Sequence, residues 1–181
     1  MLVILAGGQG QRMGGKKPLH AYGDSTLIET TLGRLRPQDG DIHINARPDL
    51  AEDLARLGYS LAFDDPDFAD LGPLSGVRTA VRLAAGAGLD HVVTAPCDMP
   101  ALPLDMVARL RAAAGDIVHF RGERDYPLCS LWRTSLLPAL DAALIAARPK
   151  GGVRVMHFIA GQDATALPAD PADFININTL S

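Results

Sequence analysis

Residues 2–17 read Leu2-Val3-Ile4-Leu5-Ala6-Gly7-Gly8-Gln9-Gly10-Gln11-Arg12-Met13-Gly14-Gly15-Lys16-Lys17, and this stretch decides the fold. Its first five residues are a short, unbroken apolar run. A run of that length, stopped by paired glycines, fits a strand buried on both faces. The loop behind it holds Gly7, Gly8, Gly10, Gly14 and Gly15, interleaved with Arg12, Lys16 and Lys17. Glycines let backbone N–H groups close around phosphate oxygens, and the cations add charge. A solvated turn is the plainer reading, but it does not explain such glycine density directly behind a first strand.

Working outward, Thr26 and Glu29 make a capping-box pattern for a helix through about Leu35. Ile42-His43-Ile44-Asn45 reads as a second strand. Pro48 to Leu57 reads as a helix with proline in its first turn. Ser60 to Phe63 is a third strand, followed by the acidic Asp64-Asp65-Pro66-Asp67 and by Gly72-Pro73-Leu74-Ser75-Gly76. Val77, Ala80, Val81 and Ala84 share a helical face. His91-Val92-Val93-Thr94 forms a fourth strand running on to Pro96-Cys97-Asp98, and Leu104 to Ala114 another helix. Alternating strands and helices predict an α/β fold on a mostly parallel sheet. Beyond residue 115, Ile117–Phe120 and Leu128–Trp132 read as strands, Ser135–Ala147 and Val153–Ile159 as helices, and Phe174–Asn178 as a late strand. With no repeat or low-complexity segment, a single domain over residues 1–181 is expected.

The chain has 181 residues, 48% hydrophobic and 21% charged, with a net charge of −4. That balance argues against a general nucleic-acid binder. Cys97 and Cys129 form no CxxC pair, which argues against a disulfide framework or zinc site. No apolar run approaches ~18 residues, as a membrane helix requires. Met1 leads straight into the first strand without a basic export segment, so the expected location is cytoplasmic.

Two familiar phosphate loops fit poorly. Gly8-Gln9-Gly10-Gln11-Arg12-Met13 puts Met where a dinucleotide fingerprint needs its third glycine. Gly10 to Lys16 satisfies GxxxxGK, but Lys17 follows where Ser or Thr would coordinate magnesium. Pro18 also biases Lys17 away from the helix a P-loop needs. Asp98, ending an apolar strand, suits magnesium held between triphosphate oxygens, and lies too far upstream to cap the helix near Leu104. Asp65, with Asp64, offers acceptor oxygens to a base or ribose, though an acidic stretch can equally be solvated surface. Asn45 offers a donor and an acceptor at a strand end; an Asx turn before Pro48 is an equal alternative. Arg154 suits a substrate phosphate. Asn176 and Asn178 would share one face of the late strand, pointing into the cleft or lying as edge polar residues. Cys97, Cys129, Trp132 and Met156 read as packing, and His43 and His91 as structural histidines.

Leu5 to Gly14, followed by Lys17, resembles the LAGGxGxRMGxxK signature of nucleoside-triphosphate transferases. Asn45-Ala46, Asp64-Asp65, Gly72 to Gly76, Pro96-Cys97-Asp98-Met99-Pro100, Arg154-Val155 and Phe174 to Thr179 extend the likeness to the molybdenum cofactor guanylyltransferases. The resemblance implies a three-layer α/β/α sandwich of nucleotide-diphospho-sugar-transferase type. It implies GTP and molybdopterin or molybdenum cofactor as substrates, Mg²⁺ on Asp98, and other cofactor-maturation proteins as partners. It assigns Arg12, Lys17 and Asp98 to catalysis, and Leu5, Ala6, Gly7, Gly8, Lys17, Asn45, Asp65 and Asp98 to nucleotide binding. Arg154, Asn176 and Asn178 fall to the acceptor. Lys17 is the matching lysine, with Lys16 beside it as the alternative. Cytidylyl transfer to molybdopterin, guanylyl transfer to a cobinamide phosphate, and a non-catalytic GTP or cofactor carrier stay open at this point.

Overall fold

The apolar run at the start of the chain forms β1 (Leu2–Leu5), with all four side chains buried. In chain order the later strands are β2 (Ala21–Tyr22), β3 (Ser25–Thr26), β4 (Ile42–Ala46), β5 (Ser60–Phe63), β6 (His91–Pro96), β7 (Ile117–Arg121), β8 (Asp125–Arg133) and β9 (Ala164–Pro168). The helices are α1 (Leu27–Leu35), α2 (Ala51–Ala55), α3 (Pro73–Gly86), α4 (Met106–Ala112), α5 (Leu137–Ala147) and α6 (Val155–Ile159). These elements come from a computed structural model that describes residues 1–8 and 15–177.

One sheet holds seven strands in the order β5-β4-β1-β6-β8-β7-β9, and β2 and β3 form a separate ribbon. β1 lies parallel between β4 and β6, with Leu5 level with Asn45 on one side and Pro96 on the other. β5 extends this parallel block. β8 runs antiparallel to β6 and β7, and β9 parallel to β7, so the sheet is mostly parallel, as expected. The chain steps outward from β1 through β4 to β5, then returns to place β6 on the other side. Such a reversal opens a crevice at the carboxyl ends of the strands.

The two faces of β1 explain its unbroken hydrophobicity. Leu2 and Ile4 join one core with Ile28 and Leu32 of α1, Leu54 of α2 and Leu110 of α4. Val3 and Leu5 join a second core with Val77 and Val81 of α3, Leu140 and Leu144 of α5, and Phe158 of α6. Each such side chain contributes about 1.5–3 kcal/mol by leaving water. The result is the anticipated three-layer sandwich. α1 starts on the predicted capping box, Thr26 Oγ1 accepting from the Glu29 amide and Glu29 Oε2 accepting from the Thr26 amide at 3.0 Å. Among the described residues no helix is long and apolar enough to cross a membrane.

Several expectations are corrected. The segment from Pro48 is a 3-10 turn followed by the five-residue α2, and α4 is shorter than expected. The edge strand β9 and the β2–β3 ribbon gave too little apolar alternation to be read. The predicted late strand does not form over Phe174 to Ile177. There Phe174 is buried against Phe120 and Tyr126, and the Ile177 amide bonds the Asp98 carbonyl at 3.0 Å. The segment is thus tied to the loop after β6 instead of a strand edge, so Asn176 has no strand face to share. Asn178 lies outside the described residues.

The loop before α3 and the loop before α6 meet at their backbones. Gly152 has φ +121°, and a Cβ there would fall 2.2 Å from the Leu71 carbonyl oxygen. That is a backbone clash no rotamer relieves. Gly152→Ala should therefore destabilise the protein by about 1–3 kcal/mol or more, seen as a lowered Tm in thermal denaturation.

Candidate functional site

A cavity of about 520 Å³ opens at the carboxyl ends of the parallel strands. Leu5, Ala6, Gly7 and Gly8 line it from the end of β1, Asn45 from β4, and Asp64 from just past β5. Pro96, Cys97 and Asp98 line it from β6, and Pro73 and Gly76 from the first turn of α3. A helix N-terminus carries partial positive charge, so the opening turn of α3 favours an anionic guest.

Lys17 and Asp98 meet on this wall. Lys17 Nζ donates to Asp98 Oδ2, while Asp98 Oδ1 is buried and has no hydrogen-bond partner among the described residues. Lys16 instead reaches Asp53 on α2 at 3.4 Å, with 64% of its side chain exposed against 15% for Lys17. The backbone explains the difference. Pro18 opens a 3-10 turn over Lys17–Leu19, which sets Lys17 inward and leaves Lys16 outside. Arg47, just past β4, donates to the Gly15 carbonyl at 3.3 Å and so steadies the exit of the glycine loop.

The loop carrying Asp98 is fastened from behind. Thr31 of α1 donates to the Cys97 carbonyl at 3.1 Å. Arg34 donates to the Leu102 carbonyl at 2.9 Å and the Ala101 carbonyl at 3.1 Å. Gln38 donates to the Pro103 carbonyl at 2.8 Å and accepts from the Val107 amide at 3.0 Å. Burial, with the Asp98 charge adding to it, pushes the Cys97 thiol up to about 12. Cys97 is therefore a neutral wall residue, in keeping with its reading as packing. Burial likewise lowers His91 below the usual imidazole range, and His43 Nε2 lies 3.0 Å from Asp41.

Asn45 is 2% exposed. Its amide does not close an Asx turn; Nδ2 donates to Asp64 Oδ1 at 2.8 Å. Thr79 of α3 donates to the same Oδ1 at 2.7 Å. Asn45 Oδ1 faces α3 so closely that a Cβ on Gly76 would lie 2.6 Å from it. Gly76 is glycine because the helix and this amide share one space.

The other expected site residues are placed less centrally. Asp65 does not line the cavity. Its Oδ1 accepts from the Asp67 amide at 3.1 Å, and its Oδ2 lies 3.5 Å from Arg78, a guanidinium that also bonds Asp141 at 2.8 Å. Arg154 is exposed and outside the lining, although the nearby Gly151 belongs to it. Asn176 is half-buried beside the Asp98 loop, and its Oδ1 is buried without a partner among the described residues. Arg12 lies outside the described residues. Sequence reasoning gave Asp70, Leu128 and Thr79 no place in the site, and nothing local to them signals one. The Gly72–Gly76 segment did carry a signal, two glycines four apart around a helix-starting proline.

A divalent cation is compatible with these groups. Among the described residues, no cluster of three or more His, Cys, Asp or Glu could enclose a metal by itself. Magnesium needs no such cage, since one or two carboxylates and substrate phosphates satisfy it. Asp98 Oδ1, buried and without a partner among the described residues, is a donor of the right hardness.

Fold and site together put a glycine-ended strand, a lysine and a carboxylate on the wall of one cavity, the setting of an enzyme class that the comparisons identify. Residues 2–164 match the model of the MobA-like NTP transferase domain, and the chain belongs to that family of nucleotidyltransferases. It is 37% identical over 177 residues to the molybdenum cofactor guanylyltransferase of Rhodobacter capsulatus, covering 98% of this chain and 89% of that one. Among solved structures, molybdopterin-guanine dinucleotide biosynthesis protein A from Archaeoglobus fulgidus superposes with a TM-score of 0.79 at 22% identity, covering 98% and 92% of the two chains. A Mycobacterium tuberculosis protein solved in complex with manganese superposes at 0.69 with 15% identity, over 98% and 92%. At such identities the two structures speak for the fold alone.

Proposed function

We propose that the protein transfers a guanylyl group from GTP to the terminal phosphate of molybdopterin, with or without its molybdenum, and releases pyrophosphate. The observation that carries this reading is the Lys17–Asp98 pair on the wall of the cavity at the end of β1. One cation and one carboxylate on that wall support a reading in which triphosphate lies over Gly7 and Gly8. The name shared by the relatives supports guanylyl as the group and the molybdenum cofactor as the acceptor.

In this reading residues 1–115 bind the nucleotide and 116–181 the acceptor. A phosphate oxygen of the acceptor attacks the α-phosphorus in line. The bond from that phosphorus to the β-bridging oxygen breaks, and its electron pair leaves with pyrophosphate. The nucleophile is already anionic, so no general base is needed, and catalysis comes from positioning and charge stabilisation. Lys17 and Arg12 offset charge on the departing oxygens. Leu5, Ala6, Gly7 and Gly8 present the strand end to the nucleotide, while Asn45 serves its far end and Asp65, expected there as a direct ligand, is turned to Arg78 and holds the loop. Arg154, Asn176 and Asn178 serve the acceptor. Asp98 would hold Mg²⁺, which when bound supplies Lewis-acid charge to the triphosphate oxygens. Lys17 occupies only one of the two Asp98 oxygens. The setting is the cytoplasm, with proteins that supply or receive the cofactor as further partners.

Lys17→Ala should lower turnover by at least ~10²-fold, the scale of losing one preorganised charge, whereas Lys16→Ala stays near wild type. Steady-state pyrophosphate release on both variants checks this; the reverse ranking would assign the role to Lys16. Asp98→Asn keeps the shape but removes the charge, so turnover at saturating magnesium should nearly vanish while Tm moves little. A wild-type rate for that variant would remove the metal from Asp98. Finally, GTP should be used over CTP by ~10²-fold or more, because guanine presents adjacent N1–H and amine donors that cytosine lacks. Pyrophosphate release with molybdopterin and each triphosphate at equal concentration is the direct test of the function, and equal rates or a CTP preference would refute guanylyl transfer.

A further inference from the structure

The Asn45 amide can sit only one way round. A carboxylate accepts hydrogen bonds and cannot donate them, so the side of Asn45 that meets Asp64 must be its NH₂. Asp64 Oδ1, which takes that bond, is also held by Thr79. Two consequences follow. Asn45 Oδ1 is turned to the space beside Gly7 and Gly76, 3.1 Å and 2.6 Å from where their Cβ atoms would be. Asp64 Oδ2 lies on the same side, 3.9 Å from the Cβ position of Gly7. Both residues line the cavity. The wall there presents two acceptors side by side, their orientation set before any ligand arrives.

We infer that Asp64, acting directly and through the amide of Asn45, is the residue that selects the base. The inference rests on the nucleotidyltransferase reading above. The complementary chemistry is a pair of adjacent hydrogen-bond donors, which a guanine nucleotide offers at the N1–H and 2-amino edge and again at the ribose diol. Strand spacing separates the two. Asp98 is at the end of β6, and Asn45 and Asp64 lie two and three strands away, ~10 and ~14 Å at the ordinary spacing. The ribose is bonded to the α-phosphate and must stay near the metal-binding end. The far edge of the base extends across to β4 and β5. Asp65, bound by Arg78 and the Asp67 amide, holds the loop in place beside Asp64.

The test measures affinity of the full chain for GTP, inosine triphosphate and 2′-deoxy-GTP in the presence of Mg²⁺, by calorimetry. Inosine lacks only the 2-amino donor. Wild type should favour GTP over the inosine nucleotide by ~10-fold or more. Asp64→Asn should bring that ratio close to one and leave the GTP to 2′-deoxy-GTP ratio unchanged, with Asp65→Asn keeping the base ratio. Thr79→Val should lower the base ratio and Thr79→Ser should restore it, which decides the matter even if Asp64→Asn folds poorly. An unchanged base ratio in Asp64→Asn or, where that variant does not fold, in Thr79→Val overturns the inference, as does loss confined to Asp65→Asn. Collapse of the 2′-deoxy ratio instead assigns the acceptors to the ribose and overturns the base assignment. Wild type that binds none of these triphosphates overturns the underlying nucleotidyltransferase reading, and the inference with it.

Discussion

The parallel register of β1 between β4 and β6 is the constraint on which the site depends. Leu5 is level with Asn45 and with Pro96, so the three strands stop together and release their loops into one space. A slip of one residue would turn Leu2 and Ile4 into the core now filled by Val3 and Leu5. That exchange is blocked because both faces of β1 are packed by helices. Hydrophobic burial therefore fixes where Gly7, Asn45 and Asp98 emerge. No polar interaction within the site has to do so.

Polar interactions then set directions. Asp98 divides its oxygens, one to Lys17 and one without a partner among the described residues. Asp64 does the same, giving Oδ1 to Asn45 and Thr79 and leaving Oδ2 toward the cavity. In each case a neighbouring donor fixes the carboxylate while half its accepting capacity stays available. Gly76 lets α3 come near enough for Thr79 to complete the second arrangement.

Much of the parallel half was legible because continuous apolar runs and turn glycines are strong local signals. β5 ends directly before Asp64, β1 two residues before Gly7 and β6 two before Asp98, β4 runs one residue past Asn45, and α1 began on its capping box. Pro18 argued for an extended backbone at Lys17, whereas Lys17 opens a 3-10 turn that still sets it inward. Sequence was silent on relations that cross from one element to another. Nothing near Thr79 announces a bond to a carboxylate fifteen residues earlier. Asp65 and Asp64 look alike in the chain, and only the fold turns Asp64 into the cavity and Asp65 to Arg78. The late segment misled for the same reason. Its alternation of Ile and Asn suits a strand, but the Asp98 carbonyl takes the Ile177 amide and the ring of Phe174 is drawn under Phe120 and Tyr126.

The fastening of the Asp98 loop by α1 and the turn after it has an entropic consequence. Thr31 and Arg34 of α1 and Gln38 beyond it bind five peptide groups between Cys97 and Val107, so this loop is ordered when the protein folds. Immobilising a loop at the moment of association is part of what ordinarily weakens binding. Here that loss of freedom is charged to folding, where two large cores offset it. A ligand entering the cavity meets a carboxylate that has no search left to make, and less of the free energy of its contacts is spent on ordering the loop.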